Sequence, residues 1–113
     1  MKLNESAPVF AALGDATRVG LVARLCIEGP LSITRLSEGT GVTRQAVTKQ
    51  LRTLGEACLV RNVRRGREQI YELEPRRLEK ARRSLDQISV EWDAAIHRLK
   101  AFVEDDGEDD KHR

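Results

Sequence analysis

The sequence of 113 residues is poor in the residue types on which most enzymes and metalloproteins depend. Its two cysteines are too few for a disulfide scaffold, and its two histidines leave little for acid–base catalysis or a metal site. Aromatic residues make up only 4% of the chain. No apolar run approaches the roughly 20 residues that span a bilayer, and the first residues lack the apolar segment of a signal peptide. These absences predict a soluble, cytoplasmic protein that is not an enzyme.

Charged residues, by contrast, are abundant at 34%, and the formal net charge of +2 hides an uneven distribution. Residues 32–67 carry eight bases and two acids, residues 1–31 are balanced, and residues 68–113 have a net charge of −4. A segment with a net charge of +6 can attract a phosphate backbone. The alternative is a solvated basic face, so the order of the predicted elements has to decide between the two.

Apolar spacing and capping residues predict four short helices in the first half of the chain. The first ends at Gly14, and Asp15, Ser32 and Thr43 can cap the N-termini of the second, third and fourth helices. We expect the inward faces to be formed by Val9, Phe10 and Leu13 in the first helix, Val19, Val22, Leu25 and Cys26 in the second, Ile33 and Leu36 in the third, and Val47, Leu51 and Leu54 in the fourth.

The third and fourth helices, joined by the turn Gly39-Thr40-Gly41, have the order of a helix-turn-helix. The second helix of such a motif can lie in the major groove of double-stranded DNA, where Gln pairs with adenine and Arg or Lys with guanine. Two β-prone runs, 59–63 and 69–73, flank a basic segment around Gly66 and predict a hairpin whose tip can reach the minor groove or the flanking backbone. The predicted DNA-binding residues are Thr43, Arg44, Gln45, Ala46, Thr48, Lys49, Arg52, Arg64, Arg65 and Arg67. Among them, the hydroxyls of Thr43 and Thr48 are expected to donate to phosphates.

A long helix is predicted over residues 75–104, because two rows of apolar residues recur every seven positions and form a heptad seam. At 1.5 Å per residue it would be about 45 Å long, more than a domain of some 75 residues can cover, so an identical helix of a second chain is expected against its far half. The predicted interface residues are Leu78, Leu85, Ile88, Trp92, Leu99 and Phe102. Trp92 could instead line a small-molecule pocket at the interface, although packing in the seam is the simpler interpretation. Residues 105–113 are predicted to be an acidic, disordered tail.

Three segments of the sequence resemble the ArsR-type (arsenic-repressor-like) winged-helix regulators: LGDATR at 13–18, GVTRQAVTKQL at 41–51, and RRGR at 64–67 through YEL at 71–73. The resemblance covers about residues 7–74. It implies a mainly α fold with a small β-hairpin wing, in which residues 1–74 form a winged helix-turn-helix domain and the long C-terminal helix serves dimerisation. It further implies a homodimeric bacterial transcription factor, usually a repressor that a signal releases from its operator, with dimer contacts through the first and last helices.

The sequence departs from this family where many members bind metals. The paired cysteines that they carry on the third helix are absent from residues 31–34, and the last helix offers only Asp93 and His97, four residues apart. Transition-metal sites usually need three or four ligands. We therefore predict no metal and no cofactor, and the sequence does not identify an effector.

Cys58 occupies a position where the family usually has glycine, at a left-handed turn after the recognition helix. A non-glycine residue there costs on the order of 1 kcal/mol. One interpretation is a redox-sensing thiol, acting with Cys26; the other is a tolerated small residue, with Cys26 buried among apolar neighbours. A winged-helix module that binds an acidic protein is a further alternative to a DNA-binding regulator. An enzyme is disfavoured because no nucleophile–base spacing or Gly-rich phosphate loop is present.

Overall fold

The computed structural model describes residues 3–111 as a helical domain with a small sheet and one long helix. After a 3₁₀ turn at Leu3–Ser6, the elements in chain order are α1 (Ala7–Ala12), α2 (Ala16–Glu28), β1 (Leu31–Ser32), α3 (Ile33–Ser37), α4 (Arg44–Glu56), β2 (Val60–Arg65), β3 (Glu68–Leu73) and α5 (Pro75–Lys111). This is the winged helix-turn-helix arrangement predicted from the sequence. None of the described helices is long and apolar enough to cross a membrane.

Three polar side chains start the helices at the predicted positions. The Asp15 carboxylate accepts a hydrogen bond from the backbone N–H of Arg18 at 3.1 Å. The Ser32 hydroxyl accepts one from the residue three positions later at 3.2 Å, and the Thr43 hydroxyl accepts one from Ala46 at 3.1 Å. A cap of this kind contributes about 1 kcal/mol. The three predicted caps are confirmed, and the last two set the start of both helices of the helix-turn-helix.

The core lies between the helices and the sheet, and most of the predicted inward residues are buried in it. In α2, however, two predictions are wrong: Val19 is 48% exposed and Cys26 is exposed. The stripe that packs against α4 and β3 is instead Leu21, Val22 and Leu25. Both stripes have helical spacing, so periodicity alone could not choose between them. The choice depends on the neighbouring elements that cover the helix.

The hairpin of β2 and β3 has a turn of two residues, because Arg65 pairs directly with Glu68. Gly66 has a φ of 63° at the first turn position and Arg67 is not left-handed, as in a type II′ turn. The strands are longer than predicted and include Arg65. Sequence analysis also missed β1, a strand of two residues whose Leu31 pairs with Tyr71 of β3, giving the sheet order β1-β3-β2.

The end of α4 is a Schellman turn. The N–H of Cys58 donates to the carbonyl of Gly55, and that of Leu59 donates to the carbonyl of Leu54, each at 3.0 Å. Cys58 has a φ of 60° and is the one non-glycine with positive φ in the described chain. The predicted left-handed turn is thus confirmed. Leu54 and Leu59, at the two ends of the turn that connects α4 to β2, are both buried in the core.

The first part of α5 belongs to the domain and the rest extends from it. Ala81 is buried and Ser84 is hydrogen-bonded to Ser6. Leu78, which we predicted as an interface residue, packs half-buried against the core of its own chain. The molecule measures 78 × 31 × 20 Å. Its radius of gyration is 20.8 Å, whereas a compact domain of this length has about 13 Å.

The helix α5 also continues further than expected, through residues 105–111, which we predicted as part of a disordered acidic tail. The predicted helix end at residue 104 is therefore corrected, and residues 112–113 lie outside the described residues. Four of these seven residues are Asp, a poorer helix former than Glu or Lys, and the single glycine of the stretch, Gly107, costs about 1 kcal/mol. A helix that is already long propagates through such a position at small cost, because nucleation is the expensive step.

Candidate nucleic-acid interface

The helix α4 presents one apolar and one polar face. Val47, Leu51 and Leu54 are buried in the core. Before the helix, Gly39 and Gly41 have φ values of 74° and 73°, which allow the tight turn between α3 and α4. On the outer face, five of the predicted DNA-binding side chains border one shallow surface groove: Arg44, Gln45, Thr48, Lys49 and Arg52. The fold therefore brings these five together. Ala46 is half-buried, and the cap uses its N–H.

The two threonines of this helix are not equivalent. Thr48 donates its hydroxyl hydrogen to the backbone carbonyl of Arg44 at 2.9 Å, so its oxygen is left to act as an acceptor. Thr43 uses its hydroxyl oxygen to accept from Ala46 and keeps its hydrogen for another partner. Thr43 is consequently the better placed of the two to donate to a phosphate. The expected phosphate contact of Thr48 is not supported by its hydrogen bond.

Ion pairs divide the eight bases of residues 32–67 into two groups. Arg61 at the base of the hairpin pairs with Glu72 at 2.8 Å and with Glu74 at 3.1 Å, and Arg35 pairs with Glu28 at 3.6 Å. In the described part of the chain, the other six make no ion pair: Arg44, Lys49, Arg52, Arg64, Arg65 and Arg67. These six are the bases that the sequence assigned to DNA. Their charge is therefore free to meet phosphates or base edges.

The basic tip of the hairpin is exposed. Arg64 donates from Nε to the carbonyl of Gly66 at 3.2 Å, which holds its side chain along the turn. Arg67 occupies the second turn position, and Arg65 ends the strand before it. The two-residue turn thus concentrates three guanidinium groups at one end of the sheet. A narrow tip of this charge fits a minor groove or a flanking phosphate backbone.

Arg18 is a residue whose role sequence analysis missed. Its guanidinium donates to the carbonyl of Ala12 in α1 and, at 2.7 Å, to the side-chain oxygen of Gln50 in α4. One side chain thus links the first two helices to the recognition helix. Its place in the LGDATR segment was the only sequence signal, and nothing in its spacing indicated this partner.

No three His, Cys, Asp or Glu side chains come close enough to hold a metal ion within the part of the chain that the structure describes. Asp93 and His97 are both exposed on α5. Cys26 and Cys58 are both exposed free thiols, which corrects the expectation that Cys26 is buried.

Comparison with known proteins identifies this arrangement. The chain is 34% identical over 100 residues to the HTH-type transcriptional regulator Rv2034 of Mycobacterium tuberculosis, covering 88% of this chain and 90% of that protein. It is 36% identical to an ArsR-like transcriptional regulator from Rhodococcus sp. RHA1, with a TM-score of 0.71 and coverage of 88% and 92%. The chain belongs to the ArsR-like transcriptional regulators. The resemblance seen in the sequence is therefore confirmed, although the chain matches no protein-family model.

A more distant ArsR-like structure shares the fold. The homodimeric winged helix-turn-helix DNA-binding domain Mb0332 from Mycobacterium bovis has a TM-score of 0.62 at 22% identity, covering 79% of this chain and 81% of that one. The two relatives above, with the fold, make the present chain a DNA-binding transcriptional regulator of the ArsR type, with α4 in the position of a recognition helix and β2–β3 in that of a wing. The alternative of a thiol sensor is not supported over this interpretation.

Proposed function

We propose that this ArsR-like regulator is a homodimeric repressor that occupies a pseudo-palindromic operator. The observation that carries the proposal is a set of six bases that form no ion pair among the described residues, grouped on the outer face of α4 and at the hairpin tip. DNA binding draws most of its affinity from phosphates, which need such free cations. We assign the protein no catalytic role.

Sequence readout is assigned to the first turns of α4. Arg44 and Gln45 begin the helix and are exposed, and in a helix-turn-helix the N-terminal residues of the second helix meet base edges. Gln45 can pair bidentately with adenine and Arg44 with guanine. Lys49 and Arg52 lie one and two turns further along the same groove and are assigned to phosphates or to the next bases. Arg65 and Arg67 of the wing are assigned to the backbone or minor groove.

Dimerisation is assigned to the uncovered seam of α5. From Leu85 onward its apolar residues are exposed, Trp92 by 65% and Phe102 by 64%. The chain has an accessible surface of 8328 Å², against about 6200 Å² for a compact monomer of this mass. A standard interface covers about 800 Å² per partner, which this excess can supply. The predicted interface residues Leu85, Ile88, Trp92, Leu99 and Phe102 all lie on this uncovered face.

The helix α1 is the second element that we assign to the interface. It packs against α5 and leaves Ala7, Pro8 and Ala11 exposed. A second copy that covers the seam of α5 would therefore pass beside α1 as well. This assignment agrees with the contact between the first and last helices that the family resemblance implies.

Selection of bound DNA from a random pool, at stated salt, tests the function. We expect an enriched inverted repeat whose half-sites are centred about 10 base pairs, or a multiple, apart. Non-specific affinity should fall by about 0.9 logarithmic units per phosphate contact for each tenfold rise in salt. Transcription in vitro from a promoter that contains the selected site should decrease when the protein is added. Absence of enrichment and of salt-sensitive DNA binding would favour the alternative of a module that binds an acidic protein.

A further inference from the structure

An open groove lies where the end of α4, the base of the hairpin and the start of α5 meet. Its volume is about 1100 Å³, enough for a small organic molecule. Its lining includes the exposed thiol of Cys58 and two acids. The other charged residues of the lining are five bases: Arg61, Arg76, Arg77, Lys80 and Arg83. A concave surface with a net charge of +3 attracts anions.

The positive charge of the groove is least neutralised at the start of α5. Arg76 and Arg77 are exposed and make no ion pair among the described residues. Arg83, about two turns after Arg76, lies 3.6 Å from the carboxylate of Glu79. Arg82 is closer to the same carboxylate at 2.7 Å, and its hydrogen bond lowers the pKa of Glu79. One acid is thus shared between two guanidinium groups, and the first turns of α5 keep a surplus of positive charge beside the groove.

The other two bases of the lining are paired with acids of the chain, but these pairs are open to water. Lys80 lies 3.2 Å from Glu5, and the two side chains are 56% and 45% exposed. Arg61 pairs with Glu72 and Glu74, and its own side chain is exposed to the same extent as that of Lys80. Exposed ion pairs contribute little to stability. An anion in the groove can therefore share these two bases with their carboxylates.

The groove faces away from the surfaces that we assign to DNA and to the second copy. Cys58 is about 21 Å along the axis of α4 from Arg44, at 1.5 Å per residue, and the base of the hairpin is about 17 Å from its tip. On α5, Arg83 precedes Leu85 by two residues, so the two side chains point to nearly opposite sides of the helix. Contacts with DNA and with a second copy therefore leave the groove open to a small molecule.

We propose that this groove binds a small molecule with at least two negative charges, such as a polycarboxylate or a phosphate ester. The inference rests on the repressor proposed above and assigns the chemical class and the binding place of its signal. The ligand contacts Cys58 after α4, Arg61 at the hairpin base and Arg76 in α5. A ligand changes operator affinity as far as it binds the free and the DNA-bound protein differently. A site that joins the recognition helix, the wing and the dimer helix is well placed for such a difference.

Alkylation of Cys58 by iodoacetamide measures occupation of the groove, because this thiol belongs to the lining. Pyrophosphate and citrate are the probes, and sodium chloride keeps the ionic strength constant. We expect a saturating probe to slow the alkylation of Cys58 several-fold. The alkylation of Cys26, an exposed thiol on α2 outside this groove, should not change. Mass spectrometry of peptides follows both thiols in one sample. Absence of saturable protection by either probe would overturn the proposal.

Removal of two bases tests which charges hold the ligand. Arg76→Gln with Arg77→Gln leaves no acid without its partner, so we expect an unchanged fold and a loss of probe affinity on the order of tenfold. The matched control, Arg98→Gln with Lys100→Gln, removes the same charge from the exposed far part of α5 and should keep the affinity. An equal loss in the two variants would show attraction by net charge alone and would contradict a site in the groove.

Operator binding by the same proteins tests the signal. Without a probe, both variants should bind the operator as the unaltered protein does. With a probe, the operator affinity of the unaltered protein and of the Arg98 and Lys100 control should change, whereas the Arg76 and Arg77 variant should lose this response. An equal response in both variants would refute the groove as the place of the signal, and weaker operator binding of the Arg76 and Arg77 variant without a probe would assign these bases to DNA instead. If no operator is bound at all, the repressor proposal fails, whereas protection of Cys58 can still be measured.

Discussion

The Nη1 atom of Arg18 in α2 donates a hydrogen bond of 2.7 Å to Oε1 of Gln50 in α4. Arg18 also donates from Nε to the carbonyl of Ala12 at the end of α1. The guanidinium therefore holds three helices together at a part-buried site. Since α4 carries the side chains that we propose contact base edges, the hydrogen bond to Gln50 fixes the position of α4 relative to the rest of the domain.

Replacing Arg18 with Ala should lower the free energy of unfolding by about 1.5–3 kcal/mol, the range for a hydrogen bond that involves a charged group. Gln50→Ala should cost less than Arg18→Ala, because the bond to Ala12 remains. In a double-mutant cycle measured by urea unfolding, the two changes should be less than additive. Gln69→Ala, at an exposed glutamine of β3, is the control and should not couple to Arg18→Ala. Full additivity with Gln50→Ala would show that the two side chains do not interact in solution.

Gln45→Ala and Arg67→Ala should weaken DNA binding in different ways. Gln45→Ala should remove about 1–3 kcal/mol of discrimination at one base position, whereas Arg67→Ala should weaken all sequences evenly and reduce the salt slope by about one. Binding titrations on the selected operator and on point-substituted operators, at several salt concentrations, separate the two effects. Arg61→Ala is the matched control: Arg61 is paired with Glu72 and Glu74, so we expect a smaller effect than for Arg67. An Arg61 effect as large as that of Arg67 would contradict our division of the bases.

The sequence predicted the helix-turn-helix well, because helix caps and apolar spacing depend on residues that are close together in the chain. Ser32 and Thr43 cap the helices as expected since a cap needs only the next three residues. The inward face of α2 was misplaced at Val19 because the choice between two helical stripes depends on distant elements. β1 was missed for the same reason: two residues carry no periodicity, and only β3 makes them a strand. The hydrogen bond between Arg18 and Gln50 joins residues far apart in the chain, and no local pattern indicates it.

Cys58→Gly should stabilise the protein by about 1 kcal/mol. Cys58 has a φ of 60° in the Schellman turn, and glycine relieves the clash between Cβ and the backbone that this conformation imposes on other residues. Glycine also has more freedom in the unfolded chain, which offsets part of the gain. Cys58→Ala removes the thiol but keeps Cβ and should leave stability close to that of the unaltered protein. Thermal and urea unfolding of the three proteins provide the measurement, and equal stability of the Gly and Ala variants would argue against strain at this position.

Leu85→Asp should separate the dimer, whereas Val90→Asp should not. Both side chains are exposed in the single chain, Leu85 by 52% and Val90 by 62%, and both lie on α5. Five residues at 100° per residue place Val90 on nearly the opposite face from the seam. A charge at Leu85 would be buried without a partner in the interface, which costs several kcal/mol, whereas one at Val90 stays in water.

Sedimentation at micromolar concentration should find a monomer for the Leu85→Asp variant and a dimer for the Val90→Asp variant. Operator affinity should fall only for the first variant, because a monomer has a single winged helix-turn-helix domain and contacts only one half-site. Dimers for both would place the interface elsewhere, and monomers for both would mean that α5 pairs by a face broader than the heptad seam.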